Sequence, residues 1–152
     1  DILIDLRKKF ADLNIAEPDI VVWLRPTFVF RSLYDVELCI NTLKSNPTLT
    51  AARTVVRSEN RLYGIENNAL IPRFDNNGKS MIRRQDMPDS FKVFSTDVFR
   101  FKGNRLDKDF LGDNVFPVVT NSICGMDIDD NFDLEMVKNF IKYSPELVNE
   151  YL

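Results

Sequence analysis

The 152-residue sequence contains no histidine, and this absence excludes more chemistry than any other feature of its composition. Without an imidazole, the chain cannot build a Ser-His-Asp or Cys-His catalytic centre, a histidine general base or a histidine-containing zinc site. Any catalysis must therefore use carboxylates, arginine, lysine, hydroxyl groups or a hard metal ion.

Cysteine, glycine and long apolar runs are scarce as well. The two cysteines, Cys39 and Cys124, cannot form a disulfide framework and stand in apolar runs, which predicts buried thiols in a cytoplasmic protein. The 5 glycines are scattered singly, so no glycine-rich phosphate-binding loop can be proposed. No apolar run reaches the roughly 18 residues of a membrane span, so we expect no membrane partner.

The residues that are present suit one domain over residues 1–152. A content of 44% hydrophobic residues, with 12 Phe, is enough for a core, and the net charge of −3 makes nucleic acid an unexpected partner. Residues 51–106 carry 11 basic and 6 acidic side chains, whereas residues 107–152 carry 3 and 10. This division suits an anionic ligand and a metal ion, and ordinary segregated surface charge is the alternative.

The spacing of apolar residues predicts a mixed α/β fold. The predicted elements are a helix over 2–13, a strand over 20–24, a helix over 34–43, a strand within 51–57, one or two strands over 91–101, a strand over 115–119 and a helix over 132–141. The first strand is apolar without alternation, which is typical of a central parallel strand. Together with the following helix and strand, it forms a βαβ pattern.

Residues 59–88 break this pattern and contain the turn signals Asn67-Asn68 and Asn76-Asn77-Gly78. Their apolar residues follow neither a helical nor a clean strand period. We interpret the segment as a projecting arm whose apolar side chains meet the same arm of a second copy. The alternative is that the arm folds back on its own sheet.

Three segments carry residues suited to binding. Residues 25–31 follow a strand directly, where α/β sheets bind ligands, although Phe28 and Phe30 could instead fill the core. Residues 83–86 hold two arginines able to grip a carboxylate or phosphate, unless Asp86 simply pairs with one of them.

The third segment is Asp127-Ile128-Asp129. Residues two apart on an extended chain point to the same side, and two converging carboxylates suit Mg²⁺. The alternative is that acidic residues here cap the following helix, a role that favours Asp130 or Asn131.

Taken together, these segments resemble motifs of the acylneuraminate cytidylyltransferases, the CMP-sialic acid synthetases and their relatives. Residues 24–31 (LRPTFVFR) are similar to that family's (L)(Q/R)PTSPLR segment, and residues 84–88 (RQDMP) to its RQ-x-L-P segment. Residues 126–135 resemble its IDIDT…DFELAE ending. The three segments occur in the family's order within residues 20–142.

The resemblance implies a Rossmann-like α/β nucleotidyltransferase fold with a mostly parallel sheet and a dimerisation arm at residues 59–88. It implies an enzyme that transfers CMP from CTP to an acidic sugar of the sialic acid type and releases pyrophosphate. Asp127 and Asp129 are the implied catalytic residues and Mg²⁺ ligands. The implied substrate-binding residues are Arg25, Thr27, Arg31, Arg84 and Gln85.

The sequence departs from the family pattern in three places. Phe94-Ser95 replaces an Asn-Gly pair, Phe28-Val29-Phe30 replaces Ser-Pro-Leu, and the family's opening strand with its basic, glycine-rich CTP loop has no counterpart. We therefore expect a partial domain, the C-terminal two-thirds of such an enzyme, that is inactive alone. Two alternatives stay open: a cytidylyltransferase for a legionaminic, pseudaminic or Kdo-like acid, and a non-catalytic binding or assembly module on the same fold.

Overall fold

The computed structural model of the chain describes residues 2–78, 81–93, 95–103, 106 and 109–151. The helices are α1 (Ile2–Asp12), α2 (Leu33–Ser45), α3 (Asn131–Tyr143) and α4 (Pro145–Val148). The strands are β1 (Ile20–Leu24), β2 (Ala51–Arg57), β3 (Tyr63–Glu66), β4 (Ala69–Pro72), β5 (Phe91–Lys92), β6 (Thr96–Arg100) and β7 (Val115–Val119). Every helix and strand expected from the apolar spacing is present.

The main sheet is mixed, and its middle strand is antiparallel. β6 lies between β1 and β2 and runs antiparallel to both, with Val98 opposite Val22 on one side and Ala52 on the other. β7 pairs parallel with β2, and the short β5 pairs antiparallel with the end of β2. Consequently β1, β2 and β7 all point the same way, and their carboxyl ends lie at one edge.

The position of β1 differs from the prediction. The βαβ pattern predicts that β1 and β2 are parallel, which is correct, but they are not neighbours because β6 is inserted between them. In the part of the chain that the structure describes, β1 has one ladder, and that ladder is antiparallel. Three strands of the sheet, β1, β2 and β7, therefore point the same way. Among the described pairings, the one between β2 and β7 is parallel and the others are antiparallel.

Both faces of the sheet are covered, which explains the unbroken apolar run of β1. Val21 and Trp23 face a cluster beneath α1, whereas Ile20 and Val22 face a cluster beneath α2. The buried members of the first cluster are Leu3, Ala51, Phe99, Phe101 and Leu106, and those of the second are Cys39, Leu43, Ala52, Val98 and Val118. A third cluster packs Phe30 against Val137 of α3 and Val148 of α4.

A separate β-hairpin occupies the middle of residues 59–88. β3 and β4 form their own two-stranded sheet, joined by Asn67 and Asn68. Both asparagines have positive φ, 50° and 62°, as the tightest hairpin turns require. Ile65 and Leu70 face each other across the strands and are 77% and 69% exposed.

Both cysteines are free, buried thiols, as their apolar surroundings predict. Burial raises the pKa of Cys39 to about 12, with Asp35 and Asp97 adding to the rise. Burial also raises the pKa of Cys124. A nucleophilic cysteine needs a lowered pKa, so neither thiol suits covalent catalysis. Within the described ranges, no helix is both long and apolar enough to cross a membrane.

Candidate functional site

The three motif segments are all connected to the carboxyl edge of β1, β2 and β7. Residues 25–31 leave the end of β1, and residues 120–130 follow β7. Residues 84–88 are held to the chain that follows β2. In open α/β sheets, ligands bind at this edge, so the fold brings together segments that are about 100 residues apart.

Arg31 links the two ends of the loop at residues 25–31. The Arg31 guanidinium donates hydrogen bonds to the carbonyls of Arg25 (2.9 Å) and Phe28 (3.1 Å). Burial lowers the pKa of Arg31, but the group stays charged. Phe28 and Phe30 are buried and fill the core, as the structural alternative predicts.

Arg25 belongs to a buried ionic cluster. Its Nη2 lies 3.5 Å from Asp97 Oδ2, and Arg53 Nη2 lies 2.8 Å from Asp97 Oδ1. Asp97 is completely buried, and the Arg25 guanidinium also lies 5.8 Å from the centre of the Trp23 ring. These contacts fix the direction in which Arg25 leaves the sheet.

The segment at residues 84–88 is fastened to the chain that follows β2. Buried Asn60 donates from Nδ2 to the carbonyls of Arg84 (3.2 Å) and Pro88 (2.9 Å). Arg84 in turn donates from Nη2 to the Ser58 carbonyl at 2.9 Å. Gln85 is exposed on the turn formed by residues 84–86. Both predicted binding side chains therefore lie at the surface.

Asp86 pairs with Arg83, with 2.9 Å between Asp86 Oδ2 and Arg83 Nε. This is the exposed ion pair that the alternative interpretation of the segment predicts. Other arginines of the basic middle region are also paired with nearby acids: Arg57 with Asp89, Arg61 with Glu59 and Arg73 with Glu66. Much of the basic charge of residues 51–106 is thus neutralised locally.

Residues 125–129 lie against β2 because Gly125 permits a very close approach. A Cβ at Gly125 would lie 2.5 Å from Val56 Cγ2, so a larger residue would push the segment away. This segment also meets the loop of residues 25–31, since Ile128 N donates to the Thr27 carbonyl at 3.1 Å. Two of the three motifs are therefore in direct contact.

The acidic residues of this region divide into two groups. Asp130 is the N-cap of α3 and forms a capping box with Asp133, as the helix-cap interpretation predicts. Asp127 is not a cap: its side chain is 18% exposed, and its Oδ1 is buried with no hydrogen-bond partner among the described residues. Asp129 is exposed, and its backbone N donates to Asp133 Oδ2. Both predicted ligands follow a 3-10 turn (Ser122–Gly125), not a strand.

Lys92 joins the pieces of the site. Its Nζ donates to the Gly125 carbonyl at 3.2 Å, lies 3.8 Å from Asp127 Oδ2 and sits 5.2 Å from the centre of the Phe28 ring. An open groove of about 310 Å³ lies beside it. The groove is lined by Lys92, Met126, Asp127, Phe132, Asp133, Met136 and Val137.

The donor set at Asp127 fits Mg²⁺ in its usual protein mode. No group of three or more potential metal ligands exists among the described residues. Mg²⁺ commonly takes one or two carboxylates and completes its shell with water and substrate phosphates. The buried, unpartnered Oδ1 of Asp127 is the kind of atom that such a cation would satisfy.

Sequence reasoning missed two parts of this site. Lys92 stands alone in a two-residue strand, and no local pattern marks it. Asp97 did carry a signal, because it is a charged residue directly before the apolar pair Val98-Phe99 in the same strand. Of the departures from the family pattern, Ser95 is buried, whereas Phe94 lies outside the described residues.

No protein-family model and no curated protein sequence matches the chain. Its fold does match solved structures, and it is a mixed α/β fold with a central sheet like theirs, as predicted. One match is the 4-diphosphocytidyl-2C-methyl-D-erythritol synthase from Anaerococcus prevotii, with 13% identity and a TM-score of 0.54. Another is CMP:2-keto-3-deoxy-manno-octonic acid synthetase complexed with CTP, with 14% identity and a TM-score of 0.56.

The matches cover 88% and 92% of this chain but 64% and 67% of those enzymes. The chain therefore spans about two thirds of the length of the structures it resembles. At such low identity, the likeness establishes the fold alone.

Proposed function

We propose that this chain is the acceptor-binding and metal-binding part of a cytidylyltransferase that joins CMP from CTP to an acidic sugar of the sialic acid type, with release of pyrophosphate. The two solved structures above have names that describe cytidylyl chemistry, which supports this class of reaction. The sialic acid type of acceptor is supported by the motifs at residues 24–31, 84–88 and 126–135. Another acidic sugar, such as a Kdo-like acid, is the alternative within the same class.

The observation that carries the proposal is the hydrogen bond from Ile128 N to the Thr27 carbonyl. In the sequence, these two motifs are linked only by the family resemblance. The hydrogen bond brings them together at the sheet edge where α/β folds bind ligands. A stable core does not require these two segments to carry a Pro-Thr turn and a pair of aspartates. A shared ligand-binding role explains why both stand there.

The residues would divide the work as follows. Asp127 and Asp129 would hold Mg²⁺, which neutralises phosphate charge when bound. Arg84, exposed on its turn, would bind the carboxylate of the sugar, with Gln85 beside it. Arg25 and Thr27 would line the pocket, and Arg31 would keep their loop in shape.

We also propose that the protein is a homodimer formed through the hairpin of β3 and β4. The apolar side chains of Ile65 and Leu70 are exposed on this hairpin, and a two-fold partner would cover each set with its own copy.

The proposal is tested first by binding. The chain is titrated calorimetrically with N-acetylneuraminic acid, legionaminic acid and Kdo, and with neutral N-acetylmannosamine as the control. At least one acidic sugar should bind saturably, and Arg84→Gln should weaken that binding about tenfold or more, because a charged hydrogen bond to the carboxylate is lost. If no acidic sugar binds at millimolar concentration, the non-catalytic module becomes the better interpretation.

Turnover is tested in any longer natural polypeptide that contains these residues. Asp127→Asn should lower pyrophosphate release by about 100-fold or more while leaving the fold intact, because the metal requires the charge. Asp5→Asn, which alters an exposed pair with Lys9 on α1, serves as the matched control. Full activity in Asp127→Asn would remove the metal role from this residue.

A further inference from the structure

The Asp127 carboxylate already has a cation beside it. Lys92 Nζ lies 3.8 Å from Asp127 Oδ2, so the fold itself places a positive charge beside this oxygen. The other oxygen, Oδ1, is buried and has no hydrogen-bond partner among the described residues. One oxygen of the Asp127 carboxylate is therefore close to a positive charge, and the other has no hydrogen bond among the described residues.

The position of Lys92 is set by three contacts. Its backbone pairs with Val56 in the ladder between β5 and β2, which fixes where the side chain starts. The side chain then passes Phe28, with Nζ 5.2 Å from the ring centre, and Nζ donates to the Gly125 carbonyl at 3.2 Å. Cation–π contact and this hydrogen bond both hold the ammonium beside Asp127, although the side chain is 42% exposed.

An anchored ammonium opposes a second cation at the same carboxylate. The attraction between a divalent ion and Asp127 is reduced by the positive charge of Lys92, and at separations of a few ångströms this repulsion is substantial even near solvent. Asp133 Oδ2 already accepts the backbone N–H groups of Asp129 and Asp130, so this oxygen is not a free additional ligand for the same metal ion.

We propose that Lys92 is a resident cation that competes with a divalent metal ion for Asp127, so that metal binding requires the Lys92–Asp127 pair to open. This rests on the metal role that the proposed function gives to Asp127. It predicts weak metal binding by the ligand-free chain, and it makes Lys92 a positioning residue that acts through the carboxylate.

The test uses Mn²⁺ alone as the probe and measures its free fraction by electron paramagnetic resonance, with the full 152-residue chain. Lys92→Gln should bind Mn²⁺ roughly three- to thirtyfold more tightly than the unaltered chain, because one opposing charge is gone. Lys92→Arg keeps the charge and should stay within about twofold of the unaltered chain. Adding Asp127→Asn to Lys92→Gln should abolish the gain.

Lys138→Gln is the matched control, because Lys138 pairs with Glu135 on α3 and the substitution makes the same change in net charge. It should leave the Mn²⁺ affinity unchanged. Lys92→Met provides a second neutral variant, and circular dichroism melting verifies that each variant folds.

Equal or weaker Mn²⁺ binding by Lys92→Gln overturns the proposal, as does an equal gain in Lys138→Gln or the absence of measurable binding in every variant. The result is independent of turnover. If the Mn²⁺ affinities are as predicted but no acidic sugar binds, the proposed function is refuted and the role of Lys92 is kept. If an acidic sugar binds but Lys92→Gln leaves the Mn²⁺ affinity unchanged, the role of Lys92 is refuted and the proposed function is kept.

Discussion

At the scale of single residues, the most demanding feature is the carboxylate of Asp97. It is completely buried and receives Arg53 at 2.8 Å and Arg25 at 3.5 Å. A buried charge is tolerated only when it is paired, because removing it from water is expensive. Arg53 is itself largely buried, so each partner depends on the other.

Asp97→Asn should therefore destabilise the fold strongly. The substitution keeps the shape of the side chain but removes the counter-ion of Arg53, and breaking a buried pair from one side costs about 3–5 kcal/mol. Asp89→Asn is the matched control, since Asp89 pairs with Arg57 at 2.6 Å but is 51% exposed. The control should lose less than about 1 kcal/mol. Urea unfolding measures both, and equal small losses would show that the Asp97 cluster contributes little.

Residues such as Asp97 and Lys92 also mark the limit of prediction from sequence. Asp130 is recognisable as a cap because capping depends only on the residues that follow it. The partners of Asp97 and Lys92 lie on other strands and loops, so their roles depend on tertiary contacts. Arg25 and Asp127 are site predictions that come from their motifs, whereas no motif points to their neighbours Arg53 and Lys92.

At the scale of elements, the hairpin of β3 and β4 has two unlike faces. On one face, the Arg73 guanidinium covers Gly64 and pairs with Glu66 at 3.2 Å. The other face carries Tyr63 opposite Pro72 and Ile65 opposite Leu70, and these apolar side chains are exposed. Ile71, which lies opposite Gly64 on the Arg73 face, is 40% exposed, so the face of Ile65 and Leu70 is the one with the more exposed apolar side chains.

We predict that the double substitution Ile65→Lys and Leu70→Lys splits a homodimer formed through this face. Burying these charges at a two-fold contact would be costly, while the main sheet and its core are untouched. Light scattering over a dilution series should show a dimer for the unaltered chain and a monomer for the variant. Ala69→Lys, on the opposite face, is the control and should remain dimeric. A monomer mass for the unaltered chain at high micromolar concentration would contradict the prediction.

Elements were predictable wherever their signal is local. α1, α2 and α3 follow from apolar residues at helical spacing, and β7 follows from a short apolar run whose proline suits an edge. β7 indeed has a single ladder, to β2, among the described residues. The hairpin turn follows from Asn67-Asn68. What the local pattern did not reveal is that the residues flanking this turn form a regular hairpin.

At the scale of the whole molecule, the order of strands is the part that local patterns cannot supply. β6 is separated from β1 by about 70 residues yet lies between β1 and β2. This insertion aligns the carboxyl ends of β1, β2 and β7 and so creates the edge where the motifs meet. The resemblance to cytidylyltransferase motifs anticipated the fold class because it carries information about long-range order.

The whole chain also determines the last prediction, which concerns turnover by these 152 residues alone. Cytidylyl transfer depends mainly on holding the triphosphate in place and neutralising its charge. The 5 glycines of this sequence are scattered singly, and 3 of those in the structure, Gly78, Gly103 and Gly112, have positive φ in separate turns. None of them belongs to a glycine-rich loop of the kind that cradles phosphates.

We therefore expect no pyrophosphate release from CTP with any acidic sugar, even where that sugar binds. A coupled phosphate assay with a pyrophosphatase measures the rate, and turnover at ~1 s⁻¹ or faster, an ordinary rate for an enzyme, would contradict the prediction. Such a rate would require that arginine and lysine side chains of the carboxyl edge hold the triphosphate instead, and Arg84→Gln and Lys92→Gln would then each reduce it.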